Sequence, residues 1–191
     1  MKQRVKSMFT ILVIGLSLPL GLPLTACAAE ENVTTSDHLK NGTATVNITG
    51  GSLILTSVPS FSANTTLTAS TRNSSFTATS NGALTVDDER GTGTGWRLTA
   101  KLGDLSTQNP NHTIAGTKLN LSVTSKNVLT PTTTLISNGD DCLLASADSG
   151  QGMGNTNFTL GPATIQLPDT APYTGEYTGT ITYQLSDGPK S

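Results

Sequence analysis

Apolar and polar residues alternate with a period of two along several short stretches of this chain. Residues 177–186 show the pattern best, since every second residue from 177 to 185 is apolar or glycine and those between are polar. Successive side chains of a β-strand point to opposite faces, so this alternation predicts strands with one buried face. The same pattern occurs at residues 44–48, 96–102 and 118–123. Further strands are predicted at residues 53–57, 75–79, 84–87, 157–160 and 164–167.

Turn-forming residues separate these segments, and no window carries a sustained helical apolar stripe. Many short strands with such turns predict an all-β fold. We expect a single domain of antiparallel strands, arranged as a β-sandwich or a partly open barrel with Greek-key-like connections. The connections at residues 103–117 and 125–155 are compatible with loops or with further short strands. Turns are predicted at residues 49–51, 81–82, 109–111, 137–139 and 150–154.

The N-terminal residues have the order of a secretory signal peptide. Lys2, Arg4 and Lys6 form a positive region, an apolar run follows at residues 8–22, and small residues come next. Prolines shorten the apolar stretch below the roughly 20 residues that a membrane-spanning helix needs, so no span is expected in the mature chain. The predicted organisation is a signal peptide at residues 1–28, a disordered lead-in at 29–40 and the β domain at 41–191.

Two cleavage routes fit the residues around Cys27. Residues 26–28, Ala-Cys-Ala, match the A-x-A site of an ordinary signal peptidase. Residues 24–27, Leu-Thr-Ala-Cys, match a lipobox, after which Cys27 would be lipidated and kept at the membrane. Either route leaves Cys142 without an intramolecular partner, so we interpret it as a small buried hydrophobe. The domain must then be held together by its core.

The charge of the chain excludes one class of partner. Its formal net charge of −2 becomes −5 once residues 1–28, with three cations and no anion, are removed. Nucleic acid is not expected as a partner of such a domain, because Lys and Arg contacts to phosphate dominate that affinity. The same sign argues against general attraction to anionic wall polymers.

Residues suited to catalysis are few, and we predict that the protein is not an enzyme. His38 lies in the lead-in and His112 in a polar loop, and no G-x-S-x-G nucleophile motif is present. The acidic residues at 87–89 and 140–141 are interpreted as solvated turns, although a carboxylate pair such as Asp140 and Asp141 would suit a glycan hydrolase. No metal and no cofactor are expected.

Two glycine- and proline-containing stretches resemble functional motifs but lack their context. Residues 91–95, GTGTG, precede a strand pattern rather than a helix and lack the lysine of a phosphate loop. Residues 167–171, LPDTA, resemble a sortase signal, but the apolar segment and basic tail that should follow are absent from this sequence.

Two other stretches carry a family resemblance. Residues 88–100 read DERGTGTGWRLTA, and residues 177–189 read YTGTITYQLSDGP. Together they resemble the WxL domain of surface proteins from Gram-positive bacteria, over the chain from about residue 40 to its end. The resemblance implies a cell-surface protein that attaches to peptidoglycan without a covalent bond and assembles with partner surface proteins. The alternative is a membrane-tethered lipoprotein adhesin held through Cys27.

The candidate site residues have two interpretations. Trp96, Tyr177 and Tyr183 would stack on sugar rings as ligand contacts, because an aromatic face combines apolar area with a polar handle. As core residues, Trp96 with Leu98 and Tyr183 with Leu185 would lie two apart on the inward face of a strand. The distal motif departs from the family pattern, since Tyr183 stands where a second tryptophan is usual and the indole N–H is lost.

Overall fold

Short segments rich in Thr, Val, Ile and Leu form strands throughout the part of the chain that the structure describes. The computed structural model describes residues 40, 42–66, 68, 73–108, 111–169 and 172–188, and within these ranges it contains fourteen strands and no helix. The strands are β1 (Leu53–Ser57), β2 (Ser60–Ser62), β3 (Ser75–Asn81), β4 (Leu84–Asp88), β5 (Trp96–Leu102), β6 (Leu105–Ser106), β7 (Thr113–Ile114), β8 (Lys118–Leu121), β9 (Val123–Thr124), β10 (Thr133–Ile136), β11 (Cys142–Ala147), β12 (Gly154–Leu160), β13 (Ala163–Gln166) and β14 (Ile181–Asp187).

Every strand pair among the described residues is antiparallel. One sheet has the order β1-β4-β12-β9, a second has β10-β8-β13-β3-β2 and a third has β11-β5-β14, while β6 and β7 form a small hairpin-like pair. The predicted fold class, all-β with antiparallel sheets, is confirmed. The connections at residues 103–117 and 125–155, for which the sequence did not distinguish loops from short strands, contain β6, β7, β10 and β11.

The core contains side chains from all three larger sheets, and its largest fully buried side chain is the indole of Trp96. Trp96 begins β5, is 0% exposed, and meets the ring of Phe158 on β12 edge to face, with ring centroids 6.3 Å apart. The alternation predicted for residues 96–102 is therefore confirmed: Trp96, Leu98, Ala100 and Leu102 are buried, and the residues between them are not. The apolar residues predicted at 119, 121 and 123 are also buried, although a break after Leu121 divides them between β8 and β9.

One strand prediction is wrong, and a second begins four residues too early. Residues 42–50 form no strand and are exposed, with Val46 at 81% and Ile48 at 88%. Alternation gives a segment one apolar and one polar face, but a strand also needs a neighbouring strand to hydrogen-bond with its backbone N–H and C=O groups. Among the described residues, no strand pairs with this segment. The distal strand begins at Ile181 rather than at 177, because its partner β5 ends at Leu102, opposite Ile181. Thr178 pairs instead with Ser106 in an isolated bridge.

The signal peptide, Cys27, His38 and nearly all of the lead-in lie outside the described residues. Within the described ranges, no helix has the length and apolarity to cross a bilayer. Residues Val46–Ser191 form one compact unit.

Glycine is required where the loop before β12 closes over Trp96. The indole Nε1 donates a hydrogen bond to the carbonyl oxygen of Gly152 at 2.9 Å. A Cβ on Gly152 would lie 2.6 Å from that Nε1 and 2.4 Å from the Cβ of Ala147, and Gly152 has a φ of +68°. The loop therefore reaches the indole only through a residue without a side chain.

Replacing Gly152 with Ala should destabilise the protein more than the same change at Gly150. Gly150 has a similar φ of +81° but open space around its Cβ position, so Gly150→Ala should cost only the backbone strain of about 1–2 kcal/mol. Gly152→Ala adds overpacking against Trp96, which we expect to cost about 1–3 kcal/mol more. Urea unfolding of both variants measures this difference, and equal stabilities would contradict the described closure over Trp96.

Candidate functional site

The two motif stretches lie side by side in the three-stranded sheet. Strand β14 pairs with β5 in a register that places Leu185 opposite Leu98 and Tyr183 opposite Ala100. The strand parts of the proximal and distal motifs, far apart in the chain, are therefore adjacent in one sheet. Sequence reasoning assigned both stretches to strands but did not predict that they are partners.

The motif side chains differ in how far they are enclosed. Trp96 and Leu98 are fully buried, so in this structure no face of the indole is open to a ligand. Tyr183 and Leu185 are half-buried and pack against the core. The Tyr183 hydroxyl donates a hydrogen bond to the carbonyl oxygen of Pro59 at 2.9 Å, and burial raises the pKa of Tyr183 to about 12. Tyr183 is thus a neutral hydrogen-bond donor that ties the distal strand to the residue after β1 and before β2.

Arg90 joins the two motifs through its guanidinium group. It makes a two-pronged pair with Asp88, Nε to Oδ1 and Nη2 to Oδ2, both at 2.8 Å. Its Nη2 also donates to the carbonyl oxygen of Gly95 at 2.8 Å, and its Nη1 reaches the Asp187 carboxylate at 2.9 Å. We call these four residues the arginine clamp. Because Asp187 ends β14, Arg90 also links the end of the distal motif to the loop that leads into Trp96. The Asp187 side chain is 82% exposed, so this part of the clamp is a surface ion pair that contributes less than the pair with Asp88.

The interpretation of Asp88 as part of a solvated turn is wrong. Asp88 is 2% exposed, and hydrogen bonds from the Arg90 guanidinium lower its pKa, against the opposing effect of burial. A buried carboxylate requires such a partner, since an unpaired charge is costly to remove from water. The neighbouring Glu89 is exposed, as are Asp140 and Asp141, so these three are solvated as predicted, whereas Asp87 lies in β4 and is half-buried.

Tyr177, the remaining motif aromatic, lines a groove of about 770 Å³. Residues 172–179, which lead into β14, form one wall of this groove, and β2 with residues 63–65 contributes to its lining. Tyr177 is half-buried there, and its hydroxyl donates to the carbonyl oxygen of Tyr173 at 3.2 Å. The volume lies within the range of about 300–1,000 Å³ that is typical of ligand sites.

The floor of the groove is a row of apolar side chains across the five-stranded sheet. Ile165 on β13 lies opposite Phe76 on β3 and Leu119 on β8. Leu119 is buried, whereas Ile165 and Phe76 are half-buried, so the row becomes more accessible toward β3. The groove thus exposes part of an apolar sheet face that continues into the core.

An aromatic pair stands at the edge of the groove. The ring of Tyr173 stacks on the imidazole of His112, with centroids 4.0 Å apart and planes 14° from parallel. Tyr173 is nevertheless 67% exposed. His112, which was predicted to lie in a polar loop, therefore supports one face of an exposed tyrosine.

A second depression, of about 650 Å³, is lined mainly by polar residues of β9, β12 and the loops beside them. On this face, the Thr85 hydroxyl donates to Asn157 at 3.0 Å, and Asn155 donates to Asp87. No aromatic ring lines it among the described residues. Nor does the described part of the chain hold a group of three or more His, Cys, Asp or Glu residues placed to bind a metal.

A family model described as "WxL domain surface cell wall-binding" matches residues 29–189. The chain belongs to this WxL family. No match was found among curated proteins or among solved structures. The family assigns the protein to the cell surface and to binding of the cell wall, and it is a binding family rather than an enzyme family.

In this WxL domain, the arginine clamp and the groove are the features that sequence reasoning missed. The stretch DERGTG is part of the proximal motif, but nothing in its spacing predicts that Arg90 turns back onto Asp88 and also reaches Asp187. The alternation at 177–186 predicted one inward face for both tyrosines. In the structure Tyr183 packs on the core, while Tyr177 precedes the strand and lines the groove.

Replacing Asp88 with Asn should make this WxL domain less stable at neutral pH and flatten its loss of stability in acid. The variant leaves Arg90 without its buried counter-charge, which we expect to cost about 3 kcal/mol. Because the pKa of Asp88 is lowered below its ordinary value of 3.8, its contribution is present above that value and is lost as the pH falls further. The stability difference between wild type and variant should therefore shrink below pH 3.8.

The measurement is urea unfolding from neutral pH into acid, with Asp140→Asn as the matched control at an exposed aspartate. The control should follow the wild type at every pH. A difference between wild type and Asp88→Asn that stays constant into acid would contradict a charge-based role for the clamp.

Proposed function

We propose that this WxL protein binds peptidoglycan without a covalent bond and that the groove beside the distal motif is its binding surface. The observation that carries the proposal is the position of Tyr177: it belongs to the distal motif and lines a groove of ligand size. Trp96 and Leu98, by contrast, are enclosed in the core. On this proposal, the residues of the proximal motif stabilise the fold, and the residues that precede β14, including Tyr177, contact the ligand.

Charge supports a binding mode based on shape and hydrogen bonds. The chain without residues 1–28 is acidic, and wall polymers that carry phosphate would be repelled by it. Binding of this kind is weakly sensitive to salt, because screening acts on charge interactions between exposed groups. The proposed role involves no chemical reaction. Assembly with partner surface proteins remains a prediction from the resemblance.

The purified protein should co-sediment with washed peptidoglycan sacculi from which other wall polymers have been stripped. Retention should persist at about 1 M salt, where the screening length is only about 3 Å. Boiling in detergent should release all of the protein at its unmodified mass, because no covalent bond is formed. Failure to co-sediment at low salt, or retention that disappears in high salt, would contradict the proposal.

We also propose that export removes residues 1–28 and releases the mature protein from the membrane. The A-x-A pattern at residues 26–28 supports cleavage before Ala29. Mass spectrometry of the mature N-terminus tests this: an unmodified Ala29 is expected. A diacylglyceryl group on Cys27 would instead establish the membrane-tethered alternative.

A further inference from the structure

We propose that the groove takes the uncharged sugar backbone of the wall glycan, with Tyr173 and Tyr177 as the ring-stacking residues. This inference rests on the proposed function and specifies which part of peptidoglycan is recognised. Peptidoglycan offers two chemically different ligands, a chain of N-acetylated sugars and a peptide bearing amino and carboxyl groups. The chemistry of the groove distinguishes between them.

The charge of the groove favours the sugar chain. Among its described lining residues, Glu176 is the only one with a charged side chain at neutral pH, and no Lys or Arg is present. Carboxylates of the peptide, like phosphates of other wall polymers, would find no cation there. The sugar backbone carries N-acetyl and hydroxyl groups without charge, and so meets no repulsion.

The lining combines apolar surface with short hydroxyl side chains, as a sugar requires. Phe76 and Ile165 supply an apolar floor, and Tyr177 a half-buried ring, for the C–H face of a sugar. Ser62, Thr174 and Thr178 also line the groove and provide donors and acceptors for sugar hydroxyls.

Tyr173 is held ready for stacking before a ligand arrives. His112 covers one face of its ring at a centroid distance of 4.0 Å, yet Tyr173 remains 67% exposed. An aromatic ring already fixed in position loses little conformational entropy on binding. The Tyr177 hydroxyl donates to the backbone carbonyl oxygen of Tyr173, which links the two residues along this wall of the groove.

The test is calorimetric titration of the full protein with a β-1,4-linked oligomer of N-acetylglucosamine, and separately with the free stem peptide. The oligomer should bind with little dependence on salt, and the peptide should not bind. Tyr173→Ala should weaken oligomer binding about three- to tenfold, which corresponds to the loss of one aromatic contact. Tyr177→Phe should have a smaller effect, because it keeps the ring and removes only the hydroxyl.

Leu129→Ala is the matched control, since Leu129 is 62% exposed and lies outside the groove lining. It should bind the oligomer as the wild type does, and urea unfolding should show that all variants are folded. Binding of the peptide in place of the oligomer, or an unchanged affinity in Tyr173→Ala, would overturn this inference. If the wild type still co-sediments with sacculi, binding to peptidoglycan stands in either case. Binding of the peptide overturns the assignment of the ligand, whereas an unchanged affinity in Tyr173→Ala removes Tyr173 from the binding surface.

Discussion

The ion pair between Arg90 and the buried carboxylate of Asp88 is the constraint on which the arrangement of the two motifs depends. Asp88 ends β4, and Arg90 turns back onto it while also holding the Gly95 carbonyl and Asp187. One guanidinium thereby connects β4, the loop before Trp96 and the end of β14. Arginine suits this position because its planar fork satisfies a carboxylate through two parallel hydrogen bonds and keeps donors for other acceptors.

The clamp and the enclosure of Trp96 act on the same loop from two sides. Gly95 accepts from Arg90 and also from the backbone N–H of Gly188, while the loop before β12 closes over the indole through Gly152. Trp96 and Leu98 are therefore core residues, and these contacts hold the backbone that leads into them. In that case the residues that identify the family are those that establish the fold, and ligand contacts are free to lie elsewhere.

The groove follows from this arrangement. Residues 172–179 precede β14, which is paired with β5, and form one wall of the groove; Thr178 is held there by two backbone hydrogen bonds with Ser106. The apolar row is covered over Leu119 and accessible at Phe76, so one sheet face serves both as core and as groove floor. The Tyr183 hydroxyl donates a hydrogen bond to the Pro59 carbonyl oxygen, so its polar atom is satisfied within the domain.

By itself, the sequence determined the fold class and the inward faces of the strands, because a period of two records which side chains of a strand share a face. It correctly predicted the burial of Trp96 and Leu98 as one of two interpretations. Tertiary structure decided everything that depends on a partner far away in the chain. Residues 44–48 alternate but pair with no strand among the described residues. Asp88 lies between its strand partners Leu53 and Gly154, which are distant in the chain, and its side chain is buried there. The groove is lined by separate segments of the chain, from Phe61 on β2 to Ile181 on β14, which the fold brings together. Periodicity encodes faces locally, whereas pairing and enclosure depend on which distant residues the fold brings together.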